Sequence, residues 1–76
     1  MGNYYENRRK ATLWVEQTLL MAMRRKANVI IENLLMDLSL KYDVGERPIN
    51  LFIVRFCKKH VVDVVDGVIL FAEILE

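Results

Sequence analysis

The sequence is poor in the residues that cross-link or catalyse in small proteins. Its 76 residues include one cysteine and one histidine. A single cysteine excludes an internal disulfide framework and any zinc site built on several cysteines. There is no glycine-rich phosphate loop and no nucleophile elbow, which argues against an enzyme. We therefore expect no metal, no cofactor, no catalytic residue and no small-molecule substrate.

Glycine and proline are also scarce, with three and one copies respectively. Together with 54% apolar residues, this excludes a disordered tail or a low-complexity linker. A chain of this length predicts one domain over residues 1–76. The apolar fraction exceeds the roughly 45–50% of typical soluble domains. We therefore expect a second copy of the chain, or a protein partner, to cover part of the apolar surface.

Long apolar runs are absent. The longest runs, residues 19–23 and 68–72, are far shorter than the roughly 20 residues that cross a membrane. The N-terminal residues do not read as a signal peptide. The lone Cys57 fits a reducing compartment. We therefore expect a cytoplasmic protein without membrane association.

Charge is distributed unevenly along the chain. Residues 1–26 carry a net charge of +4, residues 27–60 carry +1, and residues 61–76 carry −4. Such asymmetry is typical of proteins whose basic part binds a polyanion. The alternative is a set of solvated helix faces, on which basic triplets are also common.

The first part of the chain predicts a helix. Residues 10–43 contain no glycine or proline and are rich in residues that favour helices. Thr12 is a plausible N-cap, and the helix should run from there to about Arg25. The preceding residues 1–10 would form a flexible arm.

Two further helices are predicted. The second begins with a cap at Asn28 and ends near Tyr42, before a turn at Gly45. Pro48 suits the first turn of a third helix over residues 47–59, because a proline there loses no hydrogen bond. The buried face of this third helix should consist of Ile49, Phe52, Ile53, Phe56 and Cys57.

The end of the chain predicts a β-hairpin. Residues 61–65 are mostly valine, which favours strands. Asp66 and Gly67 form a strong hairpin-turn signal, and residues 68–72 supply the returning strand. The predicted fold class is therefore mainly α with a C-terminal β-hairpin.

This order of elements resembles the winged helix-turn-helix superfamily over about residues 28–74. Ser39 is a small residue where the two helices of the unit would cross, and Asp43 stands where glycine is usual. The apolar positions of the unit are filled by Tyr42, Val44, Ile49 and Phe52.

The resemblance implies that the helix over residues 47–59 enters the major groove of double-stranded DNA and that the hairpin is the wing. The basic and amide residues implied as DNA contacts are Arg47, Asn50, Arg55, Lys58 and Lys59, with Arg24, Arg25 and Lys26 from the first helix. The chain would then be a small transcriptional regulator, a homodimer built on the first helix.

Two features oppose DNA reading and keep a second hypothesis open. Leu51 and Val54 occupy the exposed side of the third helix, and the wing tip Asp66-Gly67 has no basic residue. The alternative is a winged-helix-like interaction subunit of a larger complex, which reads no bases. The candidate interface residues are Trp14, Leu20, Met21, Met23, Leu51 and Val54.

Overall fold

The structure is a computed structural model that describes residues 4–74. This part of the chain forms three helices and three short strands. They are α1 (Tyr4–Arg25), β1 (Val29–Ile30), α2 (Ile31–Lys41), α3 (Glu46–Lys59), β2 (Val64–Val65) and β3 (Val68–Ile69), followed by a 3₁₀ turn at Phe71–Glu73. The predicted fold class, mainly α with a C-terminal β-hairpin, is confirmed.

The first helix begins earlier than the sequence suggested. The predicted N-cap at Thr12 is wrong, because α1 starts at Tyr4 and the Thr12 hydroxyl donates to the Arg8 carbonyl at 2.8 Å. Residues 4–10 of the expected arm are therefore helical, and residues 1–3 lie outside the described part. An ion pair one helical turn apart, Lys10 Nζ to Glu6 Oε1 at 3.5 Å, supports this segment.

The first and second helices are separate. Lys26 adopts a left-handed φ of 55° just after α1. Its N–H donates to the Met23 carbonyl at 3.1 Å, and the Ala27 N–H donates to the Ala22 carbonyl at 2.9 Å. This is the Schellman ending, which satisfies the last carbonyls of a helix and turns the chain away.

The predicted cap at Asn28 is wrong. The Asn28 side-chain oxygen instead accepts a hydrogen bond from the Ala72 N–H at 2.9 Å, near the end of the chain. The two residues after it form β1, a strand that the helix prediction missed. Val29 and Ile30 are β-branched, and a partner strand with a free edge outweighs their modest helix propensity.

The three strands form one antiparallel sheet in the order β1-β3-β2. The paired residues are Val29 with Ile69, Ile30 with Val68, Val64 with Ile69, and Val65 with Val68. The turn between β2 and β3 has a φ of 51° at Asp66 and 75° at Gly67. Positive φ at both positions is the type I′ pattern, so the predicted hairpin turn is confirmed.

The strands of the hairpin are shorter than predicted. Val61 is not in a strand, because it follows α3 with a left-handed φ of 54°. The N–H groups of Val61 and Val62 donate to the carbonyls of Lys58 and Cys57, at 3.2 and 2.9 Å, which is again a Schellman ending. A β-branched residue at this position costs about 1–2 kcal/mol, which a glycine would avoid. Residues 70–72 of the predicted returning strand also leave the sheet.

The core lies between the three helices and the C-terminal segment that includes β3. Its buried side chains are Ala11, Val15 and Leu19 from α1, Leu34 and Leu38 from α2, Ile49, Ile53, Phe56 and Cys57 from α3, and Val62, Ile69 and Phe71 from the C-terminal segment. The predicted buried face of α3 is confirmed, except that Phe52 is only half-buried. The ring of Phe71 meets that of Phe56 edge-on, with centroids 6.3 Å apart.

Ile69 should contribute most of the stability of the sheet, because it is fully buried on the central strand. We expect Ile69→Ala to lower the free energy of unfolding by about 2–5 kcal/mol. The same change at Ile30, which is 50% exposed on β1, should cost about 1 kcal/mol or less. Urea denaturation followed by circular dichroism measures both. Equal losses for the two variants would contradict this account of the core.

Candidate nucleic-acid interface

The C-terminal parts of α1 and α3 lie side by side, because residues from both helices line the same two depressions. A depression of about 300 Å³ between them is lined by Glu16, Leu20, Phe52, Arg55, Phe56, Lys59 and His60. A second depression, of about 390 Å³, adjoins it and is lined by Leu20, Met23, Arg24, Lys26, His60 and Ile74. Because Leu20 and His60 line both, the cations of the two helices share one side of the molecule.

We call this side the basic surface and define it as Arg24, Lys26, Arg55, Lys59 and His60. Arg24, Arg55 and Lys59 are exposed, and none of the three forms an ion pair with a described residue. Among the residues that the structure describes, Glu16 is the one acidic residue that lines either depression. Cations also offset the negative ends of the two helix dipoles that meet here. Each helix end carries only about −0.5 charge, so the full charges of Arg24, Arg55 and Lys59 outweigh the two helix ends and Glu16, and the net charge of this surface is positive.

His60 lies in the middle of the basic surface and packs against Phe56. Its ring packs on that of Phe56, with centroids 4.4 Å apart. Its backbone N–H donates to the Phe56 carbonyl at 3.0 Å and ends α3. This packing supports the structural role that a helix-ending histidine usually has.

The expected DNA contacts on α3 do not all share one face. Asn50 and Arg55 are separated by about 140° around the helix, at roughly 100° per residue. Lys58 lines a different groove from Arg55 and Lys59. Arg47 is exposed in the first turn of the helix. The predicted set therefore divides into a part on the basic surface and a part on the outer and far sides of α3.

The remaining predicted contact, Arg25, is exposed at the end of α1 but lines neither depression of the basic surface. The sequence groups Arg24, Arg25 and Lys26 because they are consecutive. Successive helical residues point about 100° apart, so a basic triplet cannot face one way.

The predicted interface residues differ in exposure. Trp14, Leu20 and Met23 are half-buried and pack against the core, and Lys41 Nζ lies 5.8 Å above the Trp14 ring. Met21 is 51% exposed. On α3, Leu51 and Val54 are 54% and 50% exposed, as the sequence indicated. Binding of a partner at any of these side chains stays a prediction.

The sequence did not reveal an apolar groove of about 430 Å³ between α3, the start of α2 and β2. We call it the valine groove. Its lining residues are Ile31, Ile53, Val54, Cys57, Lys58, Val61, Val62, Asp63 and Val64. The groove was missed because Val61 was assigned to a strand. The run of valines directly after a helix end was the available signal.

Cys57 is a core residue, as the sequence indicated. Its side chain is 4% exposed, and burial raises the pKa of its thiol. The thiolate is the reactive form, so the folded protein holds this cysteine in its inert state.

The part of the chain that the structure describes contains no group of three or more His, Cys, Asp or Glu side chains placed to hold a metal ion. Over residues 4–74, no helix has the length and apolar character needed to cross a membrane.

No protein-family model matches this chain, and no curated protein or solved structure is significantly similar to it.

The burial of Cys57 predicts slow chemistry at its thiol. At pH 8, a disulfide reagent should label the native protein at least about tenfold more slowly than the urea-unfolded protein. The double variant Cys57→Ala, Ser39→Cys carries its only cysteine on the exposed side of α2 and should react at the unfolded rate. Equal rates for the native wild type and this variant would contradict the assignment.

Proposed function

We propose that the chain is a DNA-binding protein of the winged helix-turn-helix kind, a small transcriptional regulator. In this proposal α3 enters the major groove of duplex DNA and the basic surface holds phosphates beside it. One observation carries the proposal. The packing of α1 beside α3 gathers cations from two helices, including Arg24, Arg55 and Lys59, on one side. Over residues 4–74, Glu16 is the only acidic residue that lines this side.

The order of elements supports the family resemblance. A short turn joins α2 to α3, and the hairpin follows α3 directly. Tyr42 and Val44 are partly buried against the core on either side of that turn, and Ile49 is fully buried behind it. Ser39 departs from the expected pattern, since it is exposed and its hydroxyl donates to the Met36 carbonyl within α2.

The first half of α3 offers the chemistry to read bases. Arg47, Asn50 and Leu51 are all exposed there. Arginine pairs with guanine and asparagine with adenine in the major groove, and an aliphatic side chain contacts the methyl group of thymine. Leu51, which seemed to oppose base reading, therefore has a role in it.

The hairpin takes no part in the proposed DNA contact. Asp63 and Asp66 are exposed on it. Phosphate repels carboxylates, so a wing of this charge would weaken binding if it lay against the backbone. The proposal therefore rests on α3 and the basic surface alone.

Salt dependence is the sensitive property of such an interface. Each phosphate that a protein neutralises contributes about −0.9 to the slope of log affinity against log salt. Engagement of Arg24, Lys26, Arg55 and Lys59 thus predicts a slope of roughly −3 to −4.

The double variant Arg55→Glu, Lys59→Glu tests the proposal. Reversing these charges should weaken binding to a random-sequence duplex by more than about tenfold and reduce the salt slope by about two. Fluorescence anisotropy of the labelled duplex at about 50 and about 200 mM salt measures both quantities.

Lys41→Glu is the matched control for Arg55→Glu alone, because each variant changes the net charge by the same amount. Lys41 lies over the Trp14 ring and lines neither depression of the basic surface, so its reversal should leave the salt slope unchanged. Equal losses in Lys41→Glu and in Arg55→Glu would show only a non-specific effect of net charge. No binding by the wild type at tens of micromolar protein would overturn the proposal.

A further inference from the structure

We propose that the valine groove is the contact between two copies of this chain, related by a two-fold axis, in which Val61 of each copy enters the groove of the other. This contact lies on the side of α3 away from Arg55 and Lys59. It leaves the basic surface uncovered and does not depend on the proposed DNA binding.

The valine groove lies next to Val61, the side chain that would fill the same groove of a second copy. The groove has about 430 Å³ of open volume and a mainly aliphatic lining. On its rim, Val61 is 88% exposed, Val54 is 50% exposed and Val64 is 43% exposed. An exposed aliphatic side chain beside an apolar groove is self-complementary, because in a two-fold pair each copy supplies both parts.

The backbone at Val61 gives an independent reason to look for a role. This residue holds a left-handed φ of 54° at the end of α3, where glycine or asparagine would be relaxed. Its side chain gains almost nothing from the rest of the domain, because it is exposed. Strain kept at an exposed position favours a function outside the monomer, such as contact with another chain.

The charges of the groove identify the occupant as a second copy. Lys58 lies on its α3 side and Asp63 on its β2 side, and neither forms an ion pair with a described residue. Rotation of a second copy by 180° places Lys58 of each copy opposite Asp63 of the other. A partner of one charge sign would meet attraction on one side of the groove and repulsion on the other.

The outer face of α1 suits a second copy less well. Leu13 and Met21 are half-exposed there. However, basic residues stand at both ends of this helix, at 8–10 and 24–26. Antiparallel self-pairing along α1 would set these clusters against each other, which disfavours a symmetric contact.

The variant Val61→Asn separates folding from association. Asparagine tolerates the left-handed backbone, so the melting temperature of the dilute monomer should be unchanged or higher. Dimerisation should weaken by about tenfold or more, because the side chain that enters the groove is lost. Sedimentation equilibrium measures the dimer dissociation constant against the 9.0 kDa of one chain. Leu40→Ala is the matched control, since Leu40 is 85% exposed on α2, outside the groove.

A charge exchange tests the two-fold geometry. Lys58→Asp and Asp63→Lys should each weaken the dimer by about fivefold or more, because each creates two like-charge contacts. The double variant should restore the wild-type constant to within about twofold. A wild type that stays monomeric up to roughly millimolar concentration overturns the proposal. A dimer dissociation constant that is unchanged in Val61→Asn and in both single charge variants also overturns the proposal, because another face of the chain would then form the dimer.

Discussion

The architecture depends on the burial of the apolar side of α3 against α1. Ile49, Ile53 and Phe56 recur at helical spacing and meet the stripe of Val15 and Leu19 on α1. This contact fixes the rotation of α3 about its axis. Every charged residue of the helix is thereby turned to solvent, and the two C-terminal ends are brought together. The basic surface is a consequence of this apolar packing.

The Schellman endings of α1 and α3 determine where β1 and the rim of the valine groove lie. At the end of α1, the left-handed Lys26 directs the chain into β1, which completes the sheet. At the end of α3, Val61 does the same and leaves its own side chain at the rim of the valine groove. The same type of helix ending thus places a cation, Lys26, on one side of the domain and an exposed valine, Val61, on another. Local helix geometry therefore determines both proposed contacts.

The sequence predicted what local chemistry dictates and missed what long-range pairing decides. The hairpin turn at Asp66-Gly67 and the buried face of α3 follow from φ preferences and from helical periodicity, which a few neighbours encode. Strand β1 does not, because its partner β3 lies about forty residues later and only the folded chain brings them together. Thr12 and Asn28 are common cap residues, but each finds a different hydrogen bond in the fold. For the site, residue type indicated the cations, whereas the grouping of Arg24 with Arg55 required the packing of two helices.

In the proposed complex, DNA contacts the side of the domain where the ends of α1 and α3 adjoin. Nuclear magnetic resonance mapping with a short duplex tests it most directly, because it reports every backbone amide at once. The account predicts the largest chemical-shift changes at residues 24–26, in the first turn of α3 and at residues 55–60. The amides of Asp63 and Asp66 should move little. Changes centred on the hairpin, with residues 55–60 unmoved, would contradict it.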